Sequence, residues 1–92
     1  MTILADARLA RDDANEALAE ATKIAQAAQR GEVWAVAERV EARAKRAVEY
    51  ADLAIAAVEA HRYTEAKWQL ALARGTILLV RLDVGDARQV AE

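Results

Sequence analysis

The sequence holds no cysteine, no serine, no proline and no phenylalanine. Without cysteine there is no disulfide and no thiolate metal site, which fits a reducing compartment. Without serine or cysteine the two commonest nucleophiles of covalent catalysis are missing. Histidine occurs once, at His61, so a multi-histidine metal site cannot be built. Val58, three residues before it, supplies no carboxylate of the kind di-iron bundles use. His61 therefore reads as a plain turn residue. Glycine occurs only at Gly31, Gly75 and Gly85, too scattered for a phosphate-cradling loop. The longest run of large aliphatics, Ile77 to Val80, is far too short to span a bilayer. The first residues reach charge at Asp6, too soon for a secretory signal. A cytoplasmic protein is expected, with no membrane partner, no cofactor and no enzymatic activity.

What is present is helix-forming material. Alanine, leucine, arginine and glutamate dominate the 92 residues, enough for one domain over 1–92. Hydrophobic content is 55%, but 25 of those residues are alanine. Burying an alanine methyl contributes about 0.8 kcal/mol, against about 1.5–3 for a leucine or isoleucine side chain. The core is thin for the length, which hints at a partner. Net charge is −2, which argues against wholesale binding to a polyanion. Ten arginines against three lysines, with so much alanine, suggest a GC-rich bacterial or phage gene. A de novo designed bundle without biological function is the rival origin.

Periodicity predicts three helices. The first spans about 3–28. Ile3, Ala10, Ala17 and Ile24 recur every seven residues, as do Ala7, Ala14, Ala21 and Ala28, and Leu4 and Leu18. Thr2 suits the start and Gly31 a left-handed end. The second spans about 33–60, on Val33, Ala37, Val40, Ala44, Ala47, Ala51, Ala54 and Val58, flanked by Trp34, Val48 and Ile55. His61-Arg62-Tyr63 forms a turn, and Thr64 caps a third helix over about 65–84. Its stripe is Ala66, Leu70, Ala73, Ile77, Val80 and Val84. Gly85 is expected to end it, leaving a frayed turn over 86–91. Short turns between long helices imply antiparallel neighbours. The fold class is all-α: an antiparallel three-helix bundle of long, alanine-rich helices. Folding back near Gln29 brings Glu20 opposite Arg39 and Asp13 opposite Arg46.

Three patterns invite a functional reading. Asp12, Asp13, Glu16 and Glu20 line one side of helix 1, where carboxylates could hold a cation or move a proton. Nearby Arg8, Arg11, Arg39 and Arg46 favour a salt-bridged, solvated face. Arg39, Arg43 and Arg46 share one face of helix 2 with Tyr50 a turn beyond, a possible polyanion contact. Interleaved Glu38, Glu41 and Glu49 oppose that, and nucleic acid is not the expected partner. Trp34 and Trp68 stand thirty-four residues apart, a spacing that prompts a search for helical repeats. Tyr50, Leu53 and Ala54, then Ala66, Leu70 and Ala73, with Tyr63-Thr64-Glu65-Ala66 as inter-helix turn, resemble one tetratricopeptide unit. Ala57 replaces its usual tyrosine and the closing proline is missing. The resemblance implies a helix-hairpin geometry and no peptide-binding function.

A fourth pattern is a second apolar stripe on helix 3. Trp68, Leu72, Gly75, Leu79 and Leu82 recur at helical spacing, about 200° around from the core stripe. A helix apolar on opposite faces is covered on both. Helix 3 could lie sandwiched between the other two, dock on a different and larger protein, or pair with its own copy. The last is preferred, as a two-fold dimer. The expected function is a non-enzymatic protein–protein interaction module, a small bacterial or phage regulator or inhibitor acting through a helical surface. The alternative is a nucleic-acid-binding helical protein using Arg39, Arg43 and Arg46.

Overall fold

A computed structural model describes residues 2–28 and 32–91. Three helices follow one another: α1 (Ile3–Ala27), α2 (Glu32–Glu59) and α3 (Tyr63–Ala91). Thr2 starts α1 as expected: its backbone is extended and its Oγ1 accepts from the Ala5 N–H at 3.1 Å. The helix closes at an extended Ala28, whose N–H donates to the Ile24 carbonyl. The cap assigned to Gly31 and the side chain of Val33 lie outside the described residues.

The second turn is tighter than the sequence suggested. His61 takes φ +59°, the left-handed region. Its N–H donates to the Val58 carbonyl, and the Arg62 N–H donates to the Ala57 carbonyl. This is the Schellman closure of a helix end, with histidine where glycine is usual. The chain reverses at once, and Arg62 already accepts the first α3 bond, from the Ala66 N–H. Thr64 is therefore inside the helix and does not cap it. The residues that resembled a tetratricopeptide turn, Tyr63 to Ala66, form the first turn of α3.

Helix α3 also continues past Gly85 to Ala91, where the sequence predicted a stop at Val84. A mid-helix glycine costs about 1 kcal/mol relative to alanine. Burial of Val84 and Ala87 on either side of it offsets that cost. Gly75 likewise leaves the helix unbroken, and the next residue, Thr76, returns its hydroxyl to the Leu72 carbonyl at 2.7 Å.

Two core clusters fix the directions. One joins Ala7, Ala10 and Ala14 to Ala47, Ala51, Ala54 and Ile55, and to Leu70, Ala73 and Ile77. The other joins Ala17 and Ala21 to Val40 and Ala44, and to Val80 and Val84. As α1 numbers rise, α2 numbers fall and α3 numbers rise. So α2 runs antiparallel to both neighbours, and α1 lies parallel to α3. The molecule is a rod of 45 × 18 × 15 Å. All three pairs of helices pack on one another, in a triangle. That overturns the sandwiched arrangement, because α3 meets both neighbours through one stripe.

The expected Asp13–Arg46 pairing needs correction. Asp13 pairs with Arg81 of α3 at 3.8 Å, not with Arg46, and Asp6 pairs with Arg74 at 3.9 Å. Both carboxylates lie on the flank of α1 that faces α3. Arg39 turns its Nε to the Ala35 carbonyl of its own helix.

Candidate functional site

The outer face of α3 follows from the helical period. With Ala66, Leu70, Ala73, Ile77, Val80 and Val84 buried against α1 and α2, residues two positions away must point outward. Trp68 is 68% exposed, Leu72 37%, Leu79 51% and Leu82 59%. Gly75 sits among them, also exposed. A Cβ built on Gly75 meets nothing within 4 Å. Nothing inside this chain requires glycine at that position. The five residues named from sequence thus form one continuous face.

The sequence reading missed Leu78, which is 61% exposed and widens the face towards α1. Leu9 of α1 is exposed beside it, and the two line a groove with Ala10 and Ile77. The Asp6–Arg74 and Asp13–Arg81 pairs flank this groove at its two ends. The signal was available, since Leu78 stands three residues after Gly75 and three before Arg81.

The other candidates fare differently. Arg43 reaches across to α3 and binds Asp83 at 2.6 Å, so its charge is already met. Arg39 and Arg46 are exposed on the same helix. Among the described residues, no three or more His, Asp or Glu side chains gather closely enough for a metal ion, the acidic line of α1 included. His61 lies in an open hollow at the α2–α3 turn, its Nδ1 3.0 Å from the Tyr63 hydroxyl. Arg62 and Glu65 pair at 3.3 Å on the rim of that hollow. Among the described residues, no helix is long and apolar enough to cross a membrane.

Compared with known families, curated proteins and solved structures, the chain shows no significant match to any of them.

Proposed function

We propose that the protein is a non-enzymatic interaction module that binds another polypeptide through the outer face of α3. The observation that carries this reading is the ridge formed by Trp68, Leu72, Leu79 and Leu82, all accessible on a small rod. Contiguous apolar patches of a few hundred Å² are uncommon on soluble monomers, and larger ones mark binding surfaces. Tryptophan is also the residue type most enriched among energetically dominant interface contacts. A role in blocking or bridging a larger protein fits a chain of this size. The arginine stripe of α2 ranks lower, because Arg43 is committed to Asp83.

The test places a photoactivatable cross-linking residue at Leu79, or at Arg46 as control, in the full chain expressed in its native cells. Discrete protein adducts from position 79 and none from 46 support the reading. No protein adduct at 79, or nucleic-acid adducts at 46, overturn it.

A further inference from the structure

Resting on the reading that the outer face of α3 is an interface, we infer that its occupant is the same face of a second copy, antiparallel, with the two-fold axis passing beside Gly75. The argument starts from symmetry. Counting outward from Gly75, the apolar positions fall at three, four and seven residues in both directions. Ala71, Leu72 and Trp68 lie on one side; Leu78, Leu79 and Leu82 lie on the other. All six are exposed. A two-fold axis beside Gly75 sets the positions before it against those after it, so the same face serves both copies.

The pairing that results is complementary in size. Trp68 meets Leu82 of the partner subunit, Leu72 meets Leu79 of the partner subunit, and Ala71 meets Leu78 of the partner subunit. Small faces large at the flank, and glycine faces glycine on the axis. Helices whose side chains are small at the crossing approach to about 8 Å, the near end of the usual range. This gives a role to Gly75, whose Cβ, like that of Gly85, would enter open space in the single chain.

Area points the same way. Trp68 at 68% exposure offers about 170 Å². The four leucines raise the face to roughly 500 Å² per copy, the upper range for patches on monomers. Two copies therefore bring together at most about 1,000 Å² from five side chains each, the lower bound for a specific interface. The exposed Ala71 adds to it. The contact extends from Trp68 to Leu82, about 21 Å of helix, within a rod 45 Å long.

The experiment measures mass by sedimentation equilibrium at micromolar concentration, with helicity followed by circular dichroism. The wild type is expected to be a dimer. Leu79→Glu places a charge on both sides of the contact and is expected to weaken association by at least about a hundredfold, with helicity retained because the side chain is exposed. Gly75→Leu is expected to weaken association by at least about tenfold, by forcing the helices apart. The chain has no native cysteine, so orientation can be read by oxidation. Gly75→Cys should form an intermolecular disulfide, because the two Cα atoms meet at the axis and a separation of the helices by about 1–2 Å more brings them into the 4.4–6.8 Å a disulfide needs. Trp68→Cys should not, because the two positions lie about 21 Å apart along antiparallel helices. A monomeric wild type, unchanged mass in Leu79→Glu, or ready cross-linking of Trp68→Cys overturns the inference. A monomer that still gives protein adducts at position 79 in cells would overturn it while leaving the interaction-module reading intact.

Discussion

Ala44→Leu tests whether the alanines of the bundle mark close helix approach or merely fill space. Ala44 is completely buried and belongs to the cluster of Ala17, Ala21, Val40, Val80 and Val84. Leucine adds three carbon atoms. If a cavity stood ready for them, their burial would stabilise the fold by about 2.4 kcal/mol, at about 0.8 per carbon. If the site is filled to normal density, the added atoms must push α2 from α1 or α3, at a cost of about 1–3 kcal/mol. The neighbours decide between these signs. Ala17, Ala21 and Val80 are all 3% exposed or less, so no open side remains for the new side chain. The expected outcome is destabilisation. For a chain of this size each kcal/mol moves Tm by about 5 °C, so Ala44→Leu should melt roughly 5–15 °C lower. Ala42→Leu, at an exposed position of the same helix, is the control and should change Tm by only a degree or two. Both are measured by circular dichroism at one protein concentration, because association couples Tm to concentration. An unchanged or raised Tm in Ala44→Leu would refute close packing at this seam.

Thr2→Ala removes the Oγ1 acceptor of the Ala5 N–H and should cost about 1 kcal/mol in urea unfolding, with amide exchange rising in the first turn of α1. His61→Gly relieves a left-handed backbone on a residue with a Cβ and should raise stability by about 0.5–1 kcal/mol, whereas a fall would mean that the Tyr63 contact outweighs the strain. The Arg43–Asp83 pair is about two-fifths exposed on both sides, so a double-mutant cycle with Arg43→Ala and Asp83→Ala should give a coupling under about 1 kcal/mol that shrinks in molar salt.

The sequence shows each helix's inner stripe directly, because a 3.6-residue period separates inside from outside without knowledge of neighbours. Every α3 core position read this way is buried, from Ala66 to Val84. Neighbour identity is a different kind of information. Helix α3 can pack on either side of the α1–α2 hairpin, and the stripe of α1 is compatible with both. The alanine repeat and charge complementarity match Asp13 to helix 2, yet it faces α3. A better signal lay in two matching repeats, Asp6 with Asp13 and Arg74 with Arg81, each seven residues apart. A parallel pair of helices presents such repeats step for step. His61 escaped for another reason. Its left-handed backbone arises because α2 and α3 must reverse within three residues, a demand set by both helices together. The outer face of α3 was legible for the same reason as the core, while Leu9 beside Leu78 needed two distant helices brought together.

The distribution of large side chains is the deepest clue to what this chain does. Among the described residues, fourteen of the twenty buried hydrophobic ones are alanine. Of nine leucines only Leu70 is among the buried residues, and neither tryptophan is. Each exposed leucine left outside forgoes about 1.5–3 kcal/mol that burial would contribute, so a lone bundle is stabilised by far less than its composition allows. Alanine inside is suited to helices that approach closely, but close approach leaves no room for leucine. The large residues must therefore go outward: Leu9, Trp34, Val36 and Leu53 do so on α1 and α2, and on α3 Trp68, Leu72, Leu78, Leu79 and Leu82 collect on one face. A chain needing only solubility would have replaced them with charge, as the outer side of α1 does with Asp12 and Glu16. Collected on one face, those of α3 make it the element with apolar surroundings on both sides once that face is covered. On the proposed reading, the alanine core builds the rod and the leucine face builds the assembly.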